Sequence, residues 1–262
     1  FVYLEAFYVG FSQKMKKVVD LVSPLLSFLL FGITAWYAVS VFRMGFSESS
    51  PSLQIIMAVP FFSLLILSCT VSFYSLLSLL KKIKYLILML QERVGTPISY
   101  ESLARDLELH AATVKKYISI LEALFIIFII KPYSKSIARS ILKEPKIYFY
   151  DTGLLEEKGA RFENFVALHL LQMCQFENDY LGTDKELHYI RTKEHKEVDF
   201  AISLKTDLIQ IIECKYKDDT LSKHLKYFSK KYQIEGIQIV KELKQEYRNE
   251  NCKIVKMETY FS

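Results

Sequence analysis

Two long stretches without a charged residue, 21–42 and 51–80, limit the possible folds more than any other feature of the sequence. A bilayer core is about 30 Å thick and needs roughly 20 helical residues to cross it, so both stretches are long enough. Three lysines precede the first stretch and three follow the second: Lys14, Lys16, Lys17, Lys81, Lys82 and Lys84. The positive-inside rule therefore predicts an inner-membrane helical hairpin within residues 1–90, with both ends in the cytoplasm. The alternative is a buried helical hairpin in a soluble core.

The segment "LLFGITAWYAVSVFRMGFSESSPSLQIIMAVPFF" resembles the second half of the small membrane subunit of TRAP-type solute transporters. In that family an element of the form SP-x-L-x-I opens the last helix, and here it reads "SSPSLQI" at residues 49–55. The resemblance covers roughly residues 1–85 and implies a transport component that lacks the first two of the family's four helices.

The composition changes near Gln91, where the pattern becomes that of two short helices joined by a turn. Thr96, Pro97 and Ser99 are start signals for the first helix. Apolar residues at helical spacing run through the second, namely Val114, Tyr117, Ile118, Leu121 and Leu124. The pattern predicts a helix-turn-helix, followed by "LFIIFIIKPY" as the wing of a winged helix.

Several basic and polar side chains of this region are candidates for nucleic-acid contacts. Thr113, Lys115 and Lys116 on the second helix are placed to face phosphates or bases. A basic linker follows with Lys135, Arg139, Lys143 and Lys146. The alternative is that these residues form an ordinary solvated surface, because the net charge of +5 on the whole chain does not indicate a generally basic surface.

The stretch "EVDFAISLKTDLIQIIECKYK" predicts a β-hairpin that turns near Thr206. With the turn centred there, Phe200 opposes Ile212, Ala201 opposes Ile211, and Asp199 opposes Glu213. Side chains two residues apart share a face, so Glu213 and Lys215 lie on the face of Asp199. Directly opposed carboxylates repel each other, and a divalent cation bound between them would neutralise that repulsion. The hairpin therefore predicts a Mg²⁺ site held by Asp199 and Glu213, with Lys215 beside it to position water or stabilise negative charge.

This arrangement resembles the PD-(D/E)xK nuclease superfamily, in which an Asp on one strand is followed by Glu-x-Lys on the next. That family often adds a glutamate from the preceding helix, and Glu163 in "GARFENFVALHLLQMC" matches this position. The proline of the superfamily name is replaced by Val198. The resemblance implies a nuclease fold with Glu163, Asp199, Glu213 and Lys215 as catalytic residues. An inherited fold without activity remains the alternative.

Residues 91–262 together resemble the C-terminal half of a prokaryotic AAA-type ATPase family that joins a nucleotide-binding domain to a winged helix and a nuclease-like domain. The phrases that carry the resemblance are "RVGTPISYESLARDLEL", "SKSIARSILKEPKIYFYDTGLL", "GARFENFVALHLL" and "IIECKY". The chain contains no GxxxxGK[ST] loop, so nucleotide hydrolysis is not assigned to it. The resemblance implies an ATPase domain or subunit supplied elsewhere.

These observations predict an α/β protein with three parts. A transmembrane helical hairpin occupies 1–90, a winged-helix-like domain and basic linker 91–155, and a PD-(D/E)xK nuclease-like domain 156–262. The favoured function is a nucleic-acid-associated module with a Mg²⁺-dependent nuclease site. The alternatives are a non-catalytic regulatory domain and a transporter subunit joined to a passenger. Because the chain begins with Phe1 and joins segments similar to two unrelated families, we also expect a junction of two gene fragments near residues 80–95. In that case the C-terminal part is cytoplasmic without a membrane anchor.

Overall fold

The structure is a computed structural model that describes residues 13–47, 58–134, 144–192, 194–217 and 220–261. The chain divides into two compact units. One comprises Phe1–Leu88 with Tyr100–Tyr117, and the other Met89–Ser99 with Ile118–Ser262. The predicted Arg139 contact, the "SSPSLQI" element and the linker lysines Lys135 and Lys143 lie outside the described residues.

The first unit contains two long helices, α1 (Gln13–Met44) and α2 (Ala58–Glu92). Both are long and apolar enough to cross a membrane, over Leu26–Met44 and Phe61–Glu92. Hydrogen bonds from small polar side chains connect the two helices. Thr34 donates a hydrogen bond to Ser68 Oγ at 3.3 Å, and Ser72 donates to the carbonyl of Phe28 at 3.4 Å. Contacts of this kind are typical of helix pairs in lipid, where small and hydroxyl residues allow close approach.

The outer surfaces of these two helices carry large apolar side chains. Trp36 is 79% exposed, Phe73 62% and Leu30 55%. Apolar surface of this extent on a water-soluble protein would be unusual, since exposed apolar patches mark membrane or partner contacts. The chain is thus a mixed α/β protein whose first two described helices could span a membrane.

Two short helices follow, α3 (Tyr100–Asp106) and α4 (Ala111–Ala123), at the positions that the helix-turn-helix pattern predicts. Leu103 and Val114 are fully buried, as expected for the inward faces. The prediction for Leu124 is wrong, because α4 ends one residue earlier and Leu124 is 63% exposed. The sequence "LFIIFIIKPY" forms β1 (Ile127–Pro132), which pairs with β2 (Lys146–Phe149) on one side and β3 (Lys185–Arg191) on the other. It is a strand of the main sheet.

The second unit is built on a mixed sheet in which the eight described strands follow the order β2-β1-β3-β4-β5-β6-β8-β7. The remaining strands are β4 (Glu197–Leu204), β5 (Asp207–Lys215), β6 (Gly236–Val240), β7 (Tyr247–Asn249) and β8 (Cys252–Lys256). Neighbours are antiparallel except β1–β3, β5–β6 and β6–β8. The sequence "GIQIV" forms β6, and "CKIVK" forms β8.

Two helices pack on the sheet. The long α5 (Lys158–Leu181) contacts β2, β3 and β5, and the shorter α6 (Lys223–Tyr232) contacts β4, β5, β6 and β8. On α6, Leu225 and Phe228 are fully buried in a core cluster with Ala201 and Ile211. A final short helix, α7 (Met257–Phe261), contacts β6 and β8.

The β4–β5 hairpin has the predicted register where it matters for the site. Phe200 pairs with Ile212, and Ala201 with Ile211. The turn itself differs, because Leu204 pairs with Asp207 across a two-residue turn. Lys205 in that turn has a φ of 56°, and an irregularity between Ile202 and Ser203 restores the predicted register.

A second irregularity lies beside the candidate site. Between the pairs His188–Ala201 and Ile190–Val198, β3 advances two residues while β4 advances three. Strand β4 therefore carries one extra residue at 199–200, which explains how Val198 and Ala201 share one core cluster despite their odd spacing. Such a bulge re-aims side chains and is common next to active sites. Here it acts on Asp199.

Candidate active site

Helix α5 begins at a defined cap that fixes the position of Glu163. The carboxylate of Glu157 accepts hydrogen bonds from the backbone N–H groups of Gly159, at 2.8 Å, and Ala160. One turn later, Asn164 is fully buried and clamps the helix to β2. Its side-chain oxygen accepts from the Phe149 N–H, and its amide donates to the Phe149 carbonyl, both at 2.7 Å. Glu163 is thereby held against β2.

Glu163 is half-buried between β2 and the segment that precedes α3. The Tyr148 hydroxyl donates to its Oε1 at 2.8 Å. Gly95 approaches from the other side with a φ of +72°, and a Cβ at that residue would lie 2.5 Å from Glu163 Oε1. Glycine at residue 95 thus serves both a left-handed backbone and a close approach to the carboxylate.

Lys146 lies in the middle of the acidic residues, with only 1% of its side chain exposed. Its Nζ is 2.7 Å from Glu197 Oε1, 3.9 Å from Glu163 Oε1 and 4.0 Å from Asp199 Oδ1. The prediction that Lys146 belongs to a solvated basic linker is therefore wrong. The residues that follow it, Ile147, Tyr148 and Phe149, are buried in β2, and three carboxylates from α5 and β4 compensate its charge.

The pKa of Lys146 is raised even though burial acts to lower it. Burial disfavours the charged amine, but the nearby charges of Asp199, Glu163 and Glu197 outweigh that effect. The buried amine is thus a charged ammonium at neutral pH.

Asp199 occupies the bulge and is the shared neighbour of the other acids. Its Oδ2 accepts a hydrogen bond from the Cys214 backbone N–H at 2.9 Å, which ties the carboxylate to β5. Its charge contributes to the raised pKa of both Glu163 and Glu213. Asp199 thus lies within electrostatic range of every acid in the proposed site.

Glu213 and Lys215 lie next to each other on β5, as the period-two spacing predicts. Lys215 Nζ is 3.0 Å from Glu213 Oε1. Glu213 is buried, at 5% exposed, and its second oxygen, Oε2, is buried without a hydrogen-bond partner among the described residues. A buried carboxylate oxygen without a hydrogen-bond partner destabilises the folded state, so its presence in a native protein needs an explanation.

Glu163 and Glu213 both have raised pKa values. Burial, followed by the charge of Asp199, raises the pKa of Glu163 to about 8 and that of Glu213 to about 7. Lys146 and Tyr148 lower the pKa of Glu163, and Lys215 lowers that of Glu213, but these effects offset only part of the increase. Acids with such values in one cluster are typical of catalytic or cation-binding sites.

Glu163 makes the free energy of unfolding depend on pH. Its folded pKa, about 8, exceeds its ordinary value of 4.5, so the folded chain holds a proton that the unfolded chain releases across that window. Ionisation therefore destabilises the fold as pH rises. We expect Glu163→Gln to be more stable than wild type at pH 8.5, by on the order of 2–3 kcal/mol, and about equal at pH 4.5. Thermal denaturation of the full chain in detergent with EDTA measures this difference.

The matched control for this prediction is Glu156→Gln, an exposed acid in the loop that precedes α5. Its difference from wild type should not change with pH in the same window. A Glu163→Gln variant that gains no stability at pH 8.5 relative to pH 4.5 would contradict the raised pKa of Glu163.

The residues present fit a divalent cation. Glu213 Oε2 has no hydrogen-bond partner in the part of the chain that the structure describes, the charge of Asp199 disfavours ionised Glu213, and carboxylate oxygens are the ligands that Mg²⁺ prefers. Within the part of the chain that the structure describes, no group of three or more His, Cys, Asp or Glu side chains is placed to hold a metal ion. A Mg²⁺ ion bound by Asp199 and Glu213 would keep most of its water ligands, as Mg²⁺ usually does.

Three of the predicted nucleic-acid contacts, Thr113, Lys115 and Lys116, lie on α4. Lys115 and Lys116 are exposed, and their role stays a prediction. The prediction for Thr113 is wrong, because its side chain is 1% exposed and cannot reach a phosphate. Thr113 and Val114 are both buried, so the inward face of α4 begins one residue earlier than the apolar spacing indicates.

Three family models match successive parts of the chain. Residues 1–84 match the DctQ component of tripartite ATP-independent periplasmic transporters. Residues 71–160 match a domain of unknown function, DUF8612, and residues 158–260 match a second, DUF4143. No curated protein sequence matches the chain.

Among solved structures, the chain is similar to one in a half-complex of Thermococcus gammatolerans McrB AAA+ hexamers with bound McrC. The identity is 12% and the TM-score 0.28, and the match covers 38% of this chain. It spans only 28% of the length of that chain.

Proposed function

We propose that the unit formed by residues 89–99 and 118–262 is a nuclease-like module of the PD-(D/E)xK type that hydrolyses a phosphodiester bond with the aid of Mg²⁺. The observation that carries this proposal is the convergence of Asp199, Glu213 and Lys215 on one hairpin, where the buried Glu213 Oε2 has no hydrogen-bond partner among the residues that the structure describes. A hairpin core offers no structural reason for such an oxygen. A cation ligand supplies one.

The chain's own groups divide the proposed work among them. Glu213 and Asp199 would hold the cation, which when bound would neutralise phosphate charge and lower the pKa of a coordinated water. The ion pair with Glu213 holds the Lys215 ammonium beside the two acids, where it would stabilise negative charge on the phosphate. In the reaction, water adds to phosphorus and the bond from phosphorus to one sugar oxygen breaks, leaving a phosphate monoester and a hydroxyl group.

Glu163 would act as a supporting residue. Its hydrogen bond from Tyr148 and its approach to Lys146 hold it at the edge of the cluster. With a pKa of about 8 it carries a proton at neutral pH and thus adds less negative charge to the site than a normal glutamate.

The proposal is tested by incubating the full chain in detergent with labelled single-stranded DNA, duplex DNA and RNA. Cleavage of one form with Mg²⁺ or Mn²⁺, and none with EDTA, is the expected result. Absence of cleavage of every form under both metals would contradict the proposed activity. Lys115→Ala with Lys116→Ala would show in the same assay whether the proposed α4 contacts bind substrate.

A non-catalytic module is a second candidate, favoured by Lys146. Its ammonium lies within 4.0 Å of three carboxylates and partly satisfies the charge that a cation would otherwise neutralise. Under this candidate the fold would be a binding or regulatory domain for an ATPase domain or subunit supplied elsewhere. The resemblance of residues 91–262 to the C-terminal half of an AAA-type ATPase family supports that partner. Calorimetry that shows no Mg²⁺ or Mn²⁺ binding would favour this candidate over the nuclease.

A third candidate rests on the N-terminal match to a transporter component. Helices α1 and α2 would then form part of a membrane subunit, with the sheet-containing unit as a passenger in the cytoplasm. Full-chain protein that remains in the supernatant after ultracentrifugation without detergent would contradict any membrane role.

A further inference from the structure

A cavity of about 240 Å³ lies in the sheet-containing unit and has no role in the cluster described above. It is lined by three basic side chains, three aromatic side chains and one threonine: Lys158, Arg161, Lys241, Phe162, Phe165, Tyr216 and Thr152. We call it the basic–aromatic pocket.

The charged side chains that line the pocket are all basic. Lys158, Arg161 and Lys241 are all exposed at its walls, and its lining contains no carboxylate. None of the three forms an ion pair with a carboxylate of the described residues. Arg161 is oriented by a hydrogen bond from its Nε to the Leu155 carbonyl at 2.6 Å, and its side chain is therefore held at the pocket. Three cations at one small cavity, with no ion-paired carboxylate among the described residues, favour an anionic ligand.

The aromatic side of the pocket is ordered by ring contacts. Phe162 and Tyr216 meet edge to face, with ring centroids 6.2 Å apart, and Lys241 Nζ lies 6.0 Å from the Phe162 centroid. Phe165 is fixed from behind by His169, with centroids 4.0 Å apart. Phe165 and Tyr216 are both half-buried, so each leaves surface for a ligand.

The pocket shares its backbone with the proposed active site. Phe162 precedes Glu163 on α5, and Tyr216 follows Lys215 at the end of β5. The Lys241 N–H donates a hydrogen bond to the Lys215 carbonyl at 3.2 Å. This bond connects the backbone of a pocket residue directly to that of an active-site residue. Residues of the pocket and of the proposed active site are therefore neighbours in sequence on α5 and at the end of β5.

We propose that the basic–aromatic pocket binds one nucleotide of a single-stranded nucleic acid, with its phosphate at Lys158, Arg161 and Lys241 and its base against Phe165 and Tyr216. The combination of a basic groove and aromatic platforms is how sequence-tolerant single-strand binding works. A base in a duplex is stacked between its neighbours, so its ring face is not accessible to Phe165 and Tyr216. The volume, slightly below that of pockets for drug-sized ligands, accommodates a single unit of the strand.

This inference rests on the proposed function for the identity of the polymer, but it is tested by binding without cleavage. The probe is a labelled 12-nucleotide oligothymidine, and the assay is fluorescence anisotropy of the full chain in detergent with EDTA. Tyr216→Ala should weaken binding roughly 5- to 100-fold through lost stacking. Lys158→Ala with Lys241→Ala should weaken it and reduce the slope of log K against log salt by about 1.4, since each contact to a single-strand phosphate contributes about 0.7.

The matched control is Lys226→Ala with Lys230→Ala, two exposed lysines of α6 outside the pocket. This pair should leave both affinity and salt slope as in wild type. The proposal is overturned if the pocket lysine pair behaves like the control pair, if Tyr216→Ala binds as wild type, if a duplex of the same length binds more tightly, or if no binding is detected. Pocket-dependent binding without any Mg²⁺-dependent cleavage would instead overturn the proposed activity and leave the pocket assignment intact.

Discussion

Lys146→Met should lower the free energy of unfolding by about 3–5 kcal/mol, the largest stability effect that we expect from one substitution in this protein. The ammonium is buried and compensates three carboxylates, of which Glu197 is 2.7 Å away. Methionine has a similar length and fills the space, so the loss is electrostatic and leaves buried acids without a counter-charge. Since about 1 kcal/mol shifts the melting temperature of a domain of this size by roughly 2–4 °C, we expect a fall of about 10 °C.

Two further measurements separate this charge effect from a packing defect. The loss of stability should shrink as pH falls below 7, because the acids that Lys146 compensates can then take up protons. Lys131→Met, an exposed lysine of the neighbouring β1, is the matched control and should change stability by no more than about 0.5 kcal/mol. A Lys146→Met chain that melts like wild type at pH 8 would show that Lys146 does not hold the acidic cluster together.

Asp199→Asn should reduce Mg²⁺-dependent cleavage by at least about 10²-fold. The substitution preserves the size of the side chain, and the asparagine carbonyl can still accept the hydrogen bond from Cys214 N–H. It removes the charge that the proposed cation requires and that raises the pKa of both Glu163 and Glu213. The rate of product formation from a labelled strand, under single-turnover conditions with saturating protein, measures the effect on the chemical step.

Glu186→Gln serves as the control for the cleavage experiment, because Glu186 is an exposed acid on the adjacent β3. It should cleave at the wild-type rate. If Asp199→Asn also cleaves at that rate while remaining folded, the reaction does not take place at this cluster.

The β4–β5 hairpin shows how much of the site can be predicted from the sequence. Apolar residues around Phe200 and Ile212 pair only in a register that keeps both on a buried face, so the pairing of these residues follows from the pattern. The 3.0 Å contact between Glu213 and Lys215 follows from the two-residue period of a strand. Strand register and the two-residue side-chain period depend on residues close in sequence, so the sequence alone is enough to predict them.

The bulge at 199–200 could not be predicted in this way. It depends on a difference of one residue between β3 and β4, two strands whose pairing is fixed by the packing of the whole sheet. No sequence signal marks the bulge, because neither Asp199 nor Phe200 is a glycine. Neither residue has a positive φ, so the backbone there does not require glycine.

The role of Lys146 was also hidden, since a lysine next to a basic segment indicates solvent rather than a buried site. The signal that could have revealed it is the apolar run "IYF" that follows, which makes Lys146 the first residue of a buried strand. Similarly, β1 was expected to be the wing of a separate domain, but its pairing with β3 brings it into the main sheet. Contacts between elements distant in sequence determine both outcomes.

The most direct test of this account is the binding of Mn²⁺ to the full chain in detergent at pH 8, measured by calorimetry for wild type and Glu213→Gln. The account predicts one carboxylate-dependent site in wild type and at least about tenfold weaker binding in the variant, because the glutamine removes the charge that would make Glu213 a ligand. Equal binding by both chains, or binding by neither, would contradict the assignment of Asp199 and Glu213 as a cation site.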